Sequence, residues 1–149
     1  MSLDRFLAAQ EQCYETALRE IRRGRKESHW IWYVFPQIRG LGRSLTAQKY
    51  AVRDFREALD FVRHPVLGPR LTEISRALLA LKTNEVTDVF DFPDDLKLKS
   101  CMTLFFRAAP DNPVFKAVLD KFFAGAEDVE TLKILKSDSE KSAGRERHV

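Results

Sequence analysis

The run Trp30-Ile31-Trp32-Tyr33-Val34-Phe35 constrains the fold of this chain more than any other stretch. Its residues are aromatic or β-branched, the composition of a buried strand. No second run of that kind occurs in the 149 residues, and a lone strand has nothing to pair with. The run is therefore read as part of a short buried helix over residues 28–34, capped by Ser28 and ended by Pro36. With the strand reading set aside, an all-α fold remains.

The rest of the chain carries helical periodicity. Phe6, Ala9, Cys13, Ala17 and Ile21 recur at three- and four-residue steps, with Ser2 as a cap before them and Gly24 as a stop. Ser44 can cap a helix over residues 45–52, and Asp54 one over Phe55–Arg63 that ends at His64-Pro65. Leu71, Ile74, Leu78 and Leu81 form the next stripe. Thr83 can cap a short turn over residues 84–89. Pro93 opens a helix carrying Leu98, Cys101, Met102 and Phe105. Asn112-Pro113 starts another with Phe115, Val118, Leu119 and Phe122, which Gly125 stops. The last predicted helix covers residues 128–136, with Val129, Leu132 and Leu135 facing in. The reading is one domain over residues 1–136, with seven or eight helices. Residues 137–149 have almost no apolar content and read as a disordered tail.

Several function classes are disfavoured. A net charge of +3 is small for a chain held to nucleic acid by phosphate contacts, so nucleic acid is not the expected partner. No apolar run approaches 18 residues, so no membrane span is expected. The N-terminus lacks the apolar core of a signal peptide, and a cytoplasmic location is the default. Cys13 and Cys101 have no CxxC spacing, and His29, His64 and His148 are scattered. No metal or cofactor is expected. The oligomeric state is left open.

Candidate chemistry gathers around the aromatic run. Arg39-Gly40-Leu41-Gly42-Arg43-Ser44 leads into a helix start. Glycines let backbone N–H groups converge on an anion, and arginines add paired donors. No strand precedes this loop and no Gly-Lys-Ser/Thr follows, so it is neither a P-loop nor a dinucleotide fingerprint. The bland alternative is a tight turn with exposed arginines. His29 is either a general base or ring contact, or a partly buried histidine bonded to a carbonyl. Trp30 and Trp32 can stack on a planar ring or serve the core. Gln37 can read a ring edge or fix the loop. Asp94, Asp95, Lys97 and Ser100 share a helix start. One carboxylate can act as acid or base with Lys97 steering its pKa, or the acids can simply complement the helix dipole. Arg19, Arg22, Arg23, Arg25 and Lys26 crowd the end of the first helix, as a solvated face or a partner surface.

Four blocks in order, GRKESHWIWYVFPQIRGLGRS, HPVLGPRL, DDLKLKSCMTLF and FFAGAEDVETLKIL, resemble the bacterial family known as domain of unknown function 1810, also labelled calpastatin-like. The resemblance spans residues 3–135. It implies a single all-helical domain and no settled activity. Asp91 stands where the family pattern has a glycine after Phe90. A remoter likeness, to small helical N-glycosidases of ADP-ribose-type nucleotides, implies a pocket pairing aromatic and acidic residues. No position here matches their catalytic glutamate. The leading expectation is a small anionic, nucleotide-like ligand, with N-glycosidic hydrolysis as the associated chemistry. The alternative is a non-catalytic interaction module.

Overall fold

The first helix, α1 (Asp4–Arg22), buries Phe6, Tyr14, Ala17, Leu18 and Ile21 along one stripe. The computed structural model describes residues 3–147, and the proposed Ser2 cap lies outside them. Gly24, at φ +89°, turns the chain away, while the Arg25 and Gly24 amides close on Glu20 and Ile21 carbonyls. Eight further helices follow among the described residues: α2 (Ile31–Val34), α3 (Leu45–Lys49), α4 (Phe55–Arg63), α5 (Leu67–Leu79), α6 (Val86–Val89), α7 (Asp94–Ala108), α8 (Pro113–Phe123) and α9 (Val129–Arg147). The protein is all-helical, and no strand forms among these residues.

The core is aromatic. Phe6, Phe61, Phe105 and Phe115 pass ring to ring at centroid distances of 5.2, 5.2 and 6.0 Å, tying α1, α4, α7 and α8 together. A second cluster joins Trp30, Phe35 and Phe90. Helix α7 is the central element: Leu98, Cys101, Met102, Thr103, Leu104 and Phe105 are all fully buried, and it packs on α4, α6, α8 and α9. A helix buried on most sides carries little amphipathic signal.

The aromatic run is helical but shorter than expected. Helix α2 begins at Ile31, after Trp30, and Ser28 does not cap it. The Ser28 hydroxyl instead donates to Glu20. Helix α3 ends at Lys49 rather than at residue 52 because Val52 is taken elsewhere. It forms an isolated parallel β-bridge with Ile38, its amide bonding Gln37 O at 2.8 Å and its carbonyl accepting from Arg39 at 2.7 Å. Helix α9 runs on to Arg147, over residues read from composition as tail. Its Asp138 accepts a bond from the Phe55 amide at 3.2 Å. Val129, expected to face in, is 61 % exposed, and Thr131 is buried in its place.

Candidate functional site

Glu20 organises the site from below. It is buried on α1 and accepts from the Glu27 amide at 2.8 Å, the Ser28 amide at 2.9 Å, the Ser28 hydroxyl and the Trp30 indole at 2.8 Å. Burial pushes its carboxyl up, but these donors outweigh burial and hold it at about 2. The segment entering α2 is thereby fixed. Trp30 is fully buried with its N–H committed, whereas Trp32 stays partly exposed.

The diglycine bend is fixed from the other side. The Ile38–Val52 bridge holds its first arm. Gly40 sits at φ +108°, which favours glycine. At Gly42 a Cβ would stand 2.5 Å from Ala47 Cβ, so α3 packs directly on the bend. Ser44 caps α3 by accepting from the Ala47 amide at 3.1 Å.

Three adjoining clefts result. The middle one, about 240 Å³, lies between the bend and the start of α7; Trp32, Gln37, Gly42, Leu96, Lys97 and Ser100 line it, with Asp128 and Glu130 on the α9 side. On one flank is a basic cleft of about 620 Å³ with Arg5, Arg39, Lys49 and Arg53, sharing Gly42 and Ala51 with the middle one. Beneath it, buried Glu57 binds Arg5 at 2.7 Å and Arg53 at 3.2 Å. On the other flank a cleft of about 280 Å³ holds Lys26, Glu27, His29, Asp91 and Asp94, sharing Trp32 and Pro93. A larger cleft of about 770 Å³ lies away from these, along α5 beside Arg22, Glu73 and Arg76. It is a broad surface depression, and its Glu73 is engaged by the Tyr14 hydroxyl at 2.5 Å.

Residues 1–135 match the family model described as "Protein of unknown function (DUF1810)". The chain belongs to the DUF1810 family. The crystal structure of the conserved hypothetical protein Rv1873 from Mycobacterium tuberculosis is similar to this DUF1810 chain, with 43 % identity and a TM-score of 0.88. The alignment covers 90 % of this chain and 96 % of that one. A search of curated proteins finds no match. All three clefts of the DUF1810 chain are lined from within the matched residues.

The DUF1810 fold brings together some of the residues singled out in the sequence and separates others. Trp32, Gln37, Gly42, Lys97 and Ser100 share the middle cleft. Arg39 and Gly40 stand in the basic cleft, His29 and Asp94 in the third. Trp30 is core, so it offers no stacking face. Arg43 and Ser44 line none of the three. Ser100 spends its hydroxyl on the Leu96 carbonyl at 3.1 Å.

Asp94 pairs with Lys26 at 2.8 Å and with Lys97 at 3.2 Å. Burial raises its pKa and the two ammonium groups lower it more, so the carboxyl titrates below its ordinary value. Ionised at neutral pH, it is no proton donor. Asp95 lines none of the clefts; its Oδ1 is buried without a hydrogen-bond partner among the described residues. Lys97 also lies 4.6 Å from the Trp32 ring centroid, a cation–π contact. Of the basic residues crowding the end of the first helix, Arg25 pairs with Asp91 and Lys26 with Asp94, while Arg22 and Arg23 are exposed. Burial pushes the Cys13 thiol up to about 11 and the Cys101 thiol well above its usual range, so neither is a ready nucleophile. Among the described residues no group of His, Cys, Asp or Glu is placed to hold a metal ion.

Sequence reasoning passed over Glu20 and Glu57, and took Lys26 only as one of the basic residues at the end of the first helix. The signal for Glu20 was present: it lies one turn beyond Ala17 on the apolar stripe of α1, where a carboxylate demands partners. Glu57 likewise sits one turn before Phe61 on the buried face of α4.

Proposed function

We propose that this protein binds a small anionic, nucleotide-like ligand laid across the diglycine bend. The observation that carries the reading is that a basic cleft and an aromatic cleft share the walls Gly42 and Ala51. The anionic group sits beside Arg39, Lys49 and Arg53, where guanidinium groups offer paired donors. Among the described residues Arg39 and Lys49 make no ion pair, so an incoming anion displaces no carboxylate from them. The planar ring lies against Trp32, with Gln37 and the Lys97 ammonium at its edge. N-glycosidic cleavage at this site would need a water to attack the sugar, a base to take its proton and an acid to protonate the leaving ring. It would not use Asp94 as the acid, because Lys26 and Lys97 keep it ionised.

Titration of ADP-ribose, AMP and inorganic phosphate, followed by tryptophan fluorescence, tests this. ADP-ribose and AMP are expected to saturate a Trp32 signal, and Arg39→Ala and Lys49→Ala each to weaken binding about three- to thirtyfold. No response at millimolar ligand, or wild-type affinity in both variants, would overturn it. Chromatography of the ADP-ribose mixture reports separately whether a bond is broken.

A further inference from the structure

The wall shared by the basic and middle clefts belongs to the chain between α3 and α4. Connections of this kind are normally among the looser parts of a fold. This one is tied down along its length. Arg5 reaches it from α1, its Nε donating to the Lys49 carbonyl at 2.8 Å and its Nη2 to the Ala51 carbonyl at 2.6 Å. The Val52 amide and carbonyl are held by Gln37 and Arg39 across the bridge. The Arg53 amide donates to Glu57 at 3.1 Å.

Glu57 joins these ties into one unit. Its side chain is 1 % exposed; it pairs with Arg5 at 2.7 Å and with the Arg53 Nε at 3.2 Å. A buried ion pair adds little net stability over apolar side chains of similar volume. What this pair adds is placement. Lys49, Ala51 and Arg53, the residues it holds, all line the basic cleft. Glu57 takes Arg53 at its Nε, and the Arg53 side chain stays 54 % exposed, open to an anion in the cleft. Arg5, at 17 % exposure, is turned to the protein instead.

We propose that Arg5 and Glu57 are positioning residues for anion binding. They act through Lys49, Ala51 and Arg53, so that the basic cleft is formed before a ligand arrives and ordering it costs the ligand little. What the cleft receives rests on the ligand reading; that the pair fixes its wall does not.

Free and liganded protein therefore test it separately. In ligand-free wild type, the Arg53 and Val52 amides and the Arg5 Nε–H should be protected from hydrogen exchange. Fast exchange at Arg53 and Arg5 would overturn the proposal, whether or not a nucleotide binds. In AMP titrations Arg53→Ala should weaken wild-type binding about three- to thirtyfold. In Arg5→Met/Glu57→Leu, where nothing aims Arg53, AMP should bind more weakly from the start and Arg53→Ala should change that by less than about twofold. A role in folding alone would not produce that loss of coupling. If this double variant fails to fold, Arg5→Lys, which keeps the charge and loses the fork that grips two carbonyls, replaces it in the same comparison. An equal effect of Arg53→Ala in both folded backgrounds would overturn the proposal. Absence of AMP binding by wild type would overturn the ligand reading, and exchange in the free protein would then decide this one by itself.

Discussion

Glu20 shows how a single side chain can set a site it does not line. Its carboxylate gathers the Glu27 and Ser28 amides, the Ser28 hydroxyl and the Trp30 indole. Remove the charge and those four donors face a weaker acceptor. Glu20→Gln should cost about 2–3 kcal/mol, a fall of about 5–10 °C in Tm for a chain this size. The pH dependence has a definite sign. The folded carboxyl titrates near 2, below its ordinary value of 4.5. Its stabilisation is therefore complete above about 4.5 and drains away as the pH falls towards 2. Asp94 is lowered too and acts in the same direction. Thermal melts between pH 7 and pH 3 should show wild type losing Tm more steeply than Glu20→Gln; parallel curves would refute the clamp. Glu20 was legible in the sequence as a charge on an apolar stripe. The split between Trp30 and Trp32 was not, because it is set by Glu20 of α1 on one indole and Lys97 of α7 on the other, contacts that no local pattern contains.

At the scale of elements, the diglycine bend depends on α3 lying against it. Ala at position 42 would collide with Ala47 Cβ. Gly42→Ala should cost about 1–3 kcal/mol and weaken phosphate binding. The pair Gly42→Ala/Ala47→Gly should regain much of this, less about 1 kcal/mol for a glycine within a helix. Denaturant melts of the single and double variants measure it, and no recovery would mean the contact is not the cause. Elements with strong caps and periodicity were readable. Helix α4 runs from the Asp54 cap to Arg63 as its pattern indicates, and Asn112 caps α8 as expected. Helix α3 was overextended because its last predicted residue is claimed by a partner 14 positions upstream, Ile38. No local rule contains that bridge.

At the scale of the whole molecule, the candidate site lies entirely upstream of the polar half of α9. Among the described residues of that half, Asp138 accepts from the Phe55 amide, and Ser139 and Lys141 line an open cleft against Arg56 and Leu59 of α4. Ending the chain at Lys136 should therefore lower stability by about 1 kcal/mol or less and leave ligand binding unchanged, as melts and titrations of the truncated chain would show. Loss of folding would instead make residues 137–149 part of the domain. The all-helical class was legible from one unpaired aromatic run. The three-cleft row was not, since it joins residues from α1 to α9. The central claim is that an anion and a ring lie across the bend. Amide and indole resonances of 15N-labelled protein titrated with ADP-ribose test it most directly. Gly40, Gly42, Ala51 and the Trp32 indole should shift together in a saturable way, while the Trp30 indole, held by Glu20, stays still. Shifts confined to the Arg22 and Arg76 cleft, or no shifts at all, would contradict the claim.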